Sequence, residues 1–217
     1  AKSIAEAGIC IIKFNFSHNG GTMENPIDFP DLEAFGNNNY SLELDDLNDV
    51  INWVTKTFKD NPFVDTKNLV LIGHSRGGGI TILKSSKDER IKKLITLASV
   101  CDFSKRTATI GNLEEWKELG VKYVLNGRTK QKMPHYYQFY EDFKANEERL
   151  DIETAEKQLQ VPHLIIHGNN DTSVSIDEAY TLHKWNPNSQ LEIIEAADHV
   201  FNVKHPWEKN FLSIELQ

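Results

Sequence analysis

The stretch LVLIGHSRGGGI at 69–80 runs four large apolar residues into Gly73, Ser75 and Gly77, spaced as G-x-S-x-G. Small residues in that pattern let a chain turn sharply from strand to helix and hold a serine Oγ out at the carboxyl end of a sheet. A serine hydroxyl is a weak nucleophile until an imidazole takes its proton during attack. The imidazole in turn needs a carboxylate to fix its tautomer and stabilise the imidazolium. Two later segments carry those types. HLIIHGNNDTSV (163–174) places Asp171 just past an apolar strand, and LEIIEAADHVF (191–201) places His199 in the loop after the last strand. A rival carboxylate, Asp102, follows the apolar run at 94–99. An oxyanion formed at Ser75 needs backbone N–H donors, and the amide of Arg76, where the next helix opens, is one. The plainer alternatives are a turn serine and a loop histidine.

Elements able to position these residues alternate along the chain. Strands are expected at 9–16, 69–73, 94–99, 163–167 and 190–195, and helices at 2–7, 41–58, 76–87, 176–185 and from about 206. Apolar residues at helical spacing mark 41–58, with Ser41 as its N-cap. The continuous run 69–72 reads as a strand buried on both faces. A Pro-, Asn- and Asp-rich stretch at 23–39 reads as a long surface loop. Strand and helix in alternation mean an α/β fold: a mostly parallel sheet with helices on both faces. Residues 102–158 break the alternation with a mostly helical, aromatic-bearing segment, read as a cap inserted into a single domain spanning 1–217.

Composition narrows the function classes. The 217 residues are 39% hydrophobic and 26% charged, enough to bury a core. A formal net charge of −8 argues against a nucleic-acid surface and gives no sign of an anionic membrane partner. No apolar run approaches the roughly 20 residues of a bilayer span, and the opening AKSIAEAG lacks the features of a secretory signal. The cytoplasm is the expected compartment, with Cys10 and Cys101 as buried free thiols. The glycines at 77–79 lack the lysine of a Walker loop. No H-E-x-x-H or C-x-x-C pattern points to a metal, and no cofactor is expected.

GHSRGG at 73–78, HGNNDTSV at 167–174 and ADHVF at 197–201, with KFNFSHNGGT at 13–22, resemble the α/β-hydrolase superfamily. The likeness is closest to its small bacterial esterase branch, related to prolyl-oligopeptidase-like and cinnamoyl-esterase-like proteins. The order nucleophile, acid, histidine is that of the superfamily. The resemblance implies Ser75 as nucleophile, His199 as general base and acid, and Asp171 as its orienter. It implies a carboxylic ester as the small-molecule substrate, with a peptide or a non-catalytic binding role as the alternatives. His74 reads as a structural residue beneath the turn and His167 as ordering its strand end; the resemblance places His18 near the mouth, with a solvent-facing loop residue as the equal alternative.

Relatives of this kind carry about three strands ahead of the helix at 2–7, the third supplying a loop with the second oxyanion donor. Here the fold is expected to be shortened at the amino end, with Gly20 or Gly21 as substitute donors. Strand 9–16 could pair directly with 69–73, a second subunit could cover the edge, or the chain could continue in a longer protein. A homo-oligomer joined through about residues 1–35 is the expectation. The aromatic run MPHYYQFYEDF at 133–143 offers Tyr136, Tyr137, Phe139 and Tyr140 either to an acyl pocket or to cap packing.

Overall fold

The computed structural model describes residues 1–108 and 111–203. Helices α1 (Lys2–Glu6), α2 (Leu32–Gly36) and α3 (Tyr40–Thr57) precede the first strand. Strand β1 (Leu69–His74), helix α4 (Arg76–Ser85) and strand β2 (Ile91–Leu97) follow. Next come α5 (Phe103–Ala108), α6 (Leu113–Leu119), β3 (Val121–Leu125), β4 (Lys132–Tyr136) and α7 (Gln138–Ala145). The described chain closes with α8 (Ile152–Gln158), β5 (His163–Gly168), α9 (Ile176–Trp185) and β6 (Gln190–Ile194). The helix expected from about 206 lies outside the described residues.

The chain divides into two compact units, one of Ala1–Lys13, Val54–Cys101 and Ile152–Gln217, the other of Phe14–Trp53 and Asp102–Asp151. The first holds a four-stranded sheet ordered β1-β2-β5-β6, with every pair parallel. Helix α4 packs on β1 and β2, and α9 on β5 and β6. Its core is built from Ile80, Ile82, Leu83, Ile91, Leu94, Ile152, Ile165 and Leu182, all buried. This is the α/β architecture that the alternation predicts. Among the described residues, no helix is long and apolar enough to cross a membrane.

Strand β1 departs from expectation on one face. Val70 and Ile72 are 45% and 46% exposed, while Gly73 is buried against α4. The strand is therefore covered on one side and shows the period-two alternation of a half-buried element. Residues 9–16, expected as a strand, form none, so direct pairing with β1, one of the three alternatives, is not made. Ile9 and Ile12 are exposed, and β1 lies at the edge of the described sheet. β-branched composition favours a strand only where a neighbouring ladder accepts it. Strand β2 begins at Ile91, three residues before the predicted start, because the exposed Lys92 and Lys93 interrupt its apolar run.

The second unit is less helical than its sequence suggests. Strands β3 and β4 form an antiparallel hairpin inside the segment read as a helical cap. Its turn is held by Asn126 Oδ1, which accepts from the N–H groups of Arg128 and Thr129 at 2.9 and 3.0 Å. Residues 23–39, expected as loop throughout, contain α2, capped by Asp31 Oδ1 accepting from Ala34 N–H at 2.9 Å. Helix α3 begins at Tyr40, so Ser41 is not its N-cap; Asn39 Oδ1 accepts from Leu42 N–H at 2.8 Å in that role. Tyr40 stacks on Phe103 with centroids 3.9 Å apart, and Phe139 and Phe143 close around it.

Candidate active site

Three turns at the carboxyl ends of the first unit's strands carry the site. The first is the β1–α4 turn, where Ser75 sits at φ 55°, ψ −123°. A non-glycine residue at positive φ is strained, and it persists only when its surroundings hold it. Here they do. Ser75 N–H donates to Leu97 O at 2.9 Å, and its carbonyl accepts from Gly78 and Val100 N–H at 3.0 and 3.3 Å. A Cβ on Gly73 would lie 2.4 Å from Gly77 O and Thr81 Oγ1, so only glycine lets the strand meet the helix this closely. The companion contact falls on Gly78, whose Cβ would lie 2.3 Å from Ser99 Oγ; at Gly77 a Cβ would meet nothing. The second glycine that the packing requires is thus one position beyond the expected pattern.

The second turn follows β5. Asp171 Oδ1 accepts from Ser173 and Val174 N–H at 2.8 and 2.9 Å, which aims Oδ2 at the histidines. Burial pushes this carboxyl's pKa upward. The hydrogen bonds from Val174, His199 and Ser173 outweigh it and hold the pKa below the ordinary carboxylate value. The third turn follows β6 and carries His199. It is stitched to the second: Asn169 N–H donates to Ile194 O at 3.2 Å, and Asn170 N–H to Ala197 O at 2.9 Å. Asn169 Oδ1 accepts from Ala196 N–H at 2.7 Å. A Cβ on Gly168 would lie 2.2 Å from Ala197 O, so the two turns touch backbone to backbone.

These turns bring Ser75, His199 and Asp171 into line. His199 Nε2 is 3.0 Å from Ser75 Oγ, and His199 Nδ1 is 2.7 Å from Asp171 Oδ2. The carboxylate accepts from Nδ1–H, which leaves Nε2 as the acceptor for the serine hydroxyl. The Asp171 side chain is fully buried, while that of His199 is 21% exposed. Arg76, expected to supply an oxyanion donor, is the first residue of α4. Asp102 is engaged elsewhere, its two oxygens accepting from Ser104 N–H and Oγ–H at 2.7 and 2.9 Å.

Two further histidines touch this line. His167 is fully buried at the end of β5, with Nε2 3.0 Å from Val174 O and 3.4 Å from Asp171 Oδ2. It orders the strand end, as expected. His74 does not lie buried beneath the turn: it is exposed, and its Nε2 is 2.8 Å from the His199 carbonyl oxygen. Its only sequence signal was its place beside Ser75. Among the described residues, no group of three or more His, Cys, Asp and Glu side chains is arranged to hold a metal ion.

The remaining candidates lie in the second unit. Gly20 adopts φ 86° and its carbonyl accepts from Asp31 N–H at 3.0 Å. Gly21 N–H donates to Asn19 Oδ1 at 2.8 Å, holding its own turn. His18 bonds the neighbouring Ser17 hydroxyl at 2.7 Å. Tyr136 donates its hydroxyl to Glu33, Phe139 is buried against Tyr40, and Tyr137 and Tyr140 pack around Trp116. Of the two thiols expected to be buried, Cys101 is buried and Cys10 is exposed; neither is in a disulfide.

A parallel sheet with the Ser75 turn after β1, and the Asp171 and His199 turns after its last two strands, β5 and β6, is the α/β-hydrolase fold. A profile of the prolyl oligopeptidase family matches residues 33–210, and the chain belongs to that family. Among curated proteins, none matches. Among solved structures, the chain is similar to Est1E from Butyrivibrio proteoclasticus, with a TM-score of 0.58 and 20% identity over 76% of this chain and 64% of that one. Est1E with ferulic acid bound gives a TM-score of 0.55 and 21% identity, over 78% of this chain and 64% of that one. The esterase domain of a Rhodothermus marinus protein gives a TM-score of 0.51 and 19% identity, over 77% and 62%. The chain thus spans less than two thirds of the length of each.

Proposed function

We propose that this chain is a serine hydrolase that cleaves carboxylic esters through an acyl-enzyme. The observation that carries the reading is the continuous line from Ser75 Oγ through His199 to Asp171, at 3.0 and 2.7 Å. Ser75 Oγ attacks the ester carbonyl carbon while its proton passes to His199 Nε2. Asp171, already ionised by its hydrogen bonds, stabilises the imidazolium that results. The oxyanion lies at the amino end of α4, where the Arg76 N–H and the helix dipole favour negative charge. His199 then gives its proton to the departing alcohol. Water, activated by the same imidazole, releases the acid and restores Ser75. The steps call for no metal and no redox cofactor.

Ester cleavage is favoured over peptide cleavage by the likeness to Est1E, which has been solved with ferulic acid bound. Aromatic-acid and short-chain acyl esters are accordingly the first substrates to try. Peptide hydrolysis on the same residues is the second reading, favoured by the family's name. A fluorophosphonate probe tests the chemistry directly: it is expected to label the unsubstituted chain and not Ser75→Ala. A chain that stays unlabelled would be a non-catalytic member of the family. A panel of p-nitrophenyl esters, a hydroxycinnamate ester and a peptide anilide then separates the two readings by relative kcat/KM.

A further inference from the structure

His199 must serve two oxygens in succession, taking a proton from Ser75 and giving it to the leaving group. Its ring therefore has to keep its place while its charge changes. Asp171 fixes one end of that ring, but a ring held at Nδ1 alone still moves with its own main chain. The loop bearing it contains three residues at positive φ, Ala196, Phe201 and Asn202. Its downstream bonds are internal: Asp198 Oδ1 accepts from Val200 and Asn202 N–H at 3.0 and 2.8 Å. Its upstream end is tied to the acid turn through Ala196 and Ala197. At His199 itself, the main-chain oxygen is held by His74 Nε2 at 2.8 Å.

We propose that His74 is a positioning residue: by donating its Nε2–H to the His199 carbonyl, it fixes the base to the residue that immediately precedes the nucleophile. The inference rests on the reading of Ser75, His199 and Asp171 as catalytic. A carbonyl oxygen only accepts, so the proton is on His74 Nε2. Adjacent residues thus grip one histidine at two places, His74 at its main chain and Ser75 at its ring. The distance between nucleophile and base is then set within a single turn of backbone. The two imidazole rings stand 4.7 Å apart. Although part of His74 is open to solvent, the surroundings of its ring desolvate the charged form and lower its pKa, against the opposing pull of the His199 carbonyl. At neutral pH it therefore puts no second positive charge beside the imidazolium that forms on His199.

The test compares His74→Gln, whose amide keeps a donor at a similar reach, with His74→Met, which keeps bulk and loses the donor. The readouts are the rate of Ser75 labelling by a fluorophosphonate, and kcat and KM on a p-nitrophenyl ester. His74→Gln is expected to stay within about 3-fold of the unsubstituted chain, because a donor is retained. His74→Met should be slower by about 10- to 100-fold in labelling and in kcat, with KM unchanged, as a misplacement of the base by up to about 1 Å would produce. If the methionine variant does not fold, His74→Ala takes its place in the same comparison. Methionine as fast as glutamine, or glutamine as slow as methionine, overturns the proposal. An unsubstituted chain that is not labelled is a separate failure, which removes the catalytic reading together with the inference built on it.

Discussion

Two lines of hydroxyl, imidazole and carboxylate run through the first unit, one at each end of β5. At the amino end, Thr96 Oγ1 lies 2.8 Å from His163 Nε2, and His163 Nδ1 lies 2.8 Å from Glu156 Oε1. At the carboxyl end, the corresponding distances from Ser75 through His199 to Asp171 are 3.0 and 2.7 Å. By distance alone the two are alike. Thr96 and Glu156 are 0% exposed and His163 is 2% exposed, and all three stand on regular strand or helix. Asn186 Nδ2–H adds a further bond to Glu156 Oε1 at 2.9 Å. Nothing outside the protein reaches Thr96. Ser75, by contrast, is half-buried on a strained turn at a helix amino end, and its base is partly open. Three residue types in line do not make a reactive centre. Access and a nearby place for the oxyanion do.

The contrast is broken most directly at the two hydroxyls. Ser75→Ala should lower ester turnover by about three orders of magnitude or more, since members of such a line act as a unit. Thr96→Val should leave turnover by the folded protein unchanged. Equal effects on initial rates would show that the wrong line was chosen.

The acids come next. Asp171→Asn should reduce kcat by about 10³–10⁴, through the lost imidazolium partner and the wrong tautomer. Asp102→Asn, whose carboxylate serves Ser104, should cost far less. Steady-state kinetics of the two variants side by side decide between them, and a reversed order would move the acid to the turn after β2.

At the sealed line the effect should appear in stability. Glu156→Leu strands a buried imidazole and an amide, so it should destabilise by about 3–5 kcal/mol. Thr96→Val removes one hydrogen bond and should cost about 1 kcal/mol. Urea unfolding measures both, and a Glu156→Leu variant as stable as the parent would make this network dispensable.

The smallest expected effect is in pH. In the folded chain the Asp171 pKa lies below its ordinary value. Its ionised form therefore stabilises the fold above the ordinary carboxylate range, near pH 4, and that contribution is lost as pH falls through the folded value. The gap in thermal midpoint between the parent and Asp171→Asn should accordingly be widest near neutral pH and narrow towards pH 3. A gap of constant width would mean that the carboxylate titrates alike in both states.

What the sequence made legible follows the same division. The three turns of the site were readable because each is specified by residues next to one another: GHSRGG, HGNND and ADH. Helix α9 begins and ends where its apolar period predicts. Residues 9–16 were misread because a strand is defined by its partner, and composition does not record a missing one. The hairpin of β3 and β4 was missed although Asn126-Gly127 marks its turn, because the aromatic helix that follows drew the whole segment into one pattern. The part played by His74 was invisible, since its acceptor is a backbone atom 125 positions away.

The seam between the turns after β5 and β6 bears on how this scaffold can be altered. Gly168 touches Ala197 without room for a methyl group, and Asn169 and Asn170 bind Ile194, Ala196 and Ala197. The two turns therefore behave as one exchangeable cassette. A chimera that took residues 168–171 from one relative and 194–199 from another would split it, misaligning acid and base although every reactive side chain was present. Recombination that carries 163–203 across as a block keeps the seam whole, provided that the turn after β1 keeps His74 and Ser75, which both bond to His199.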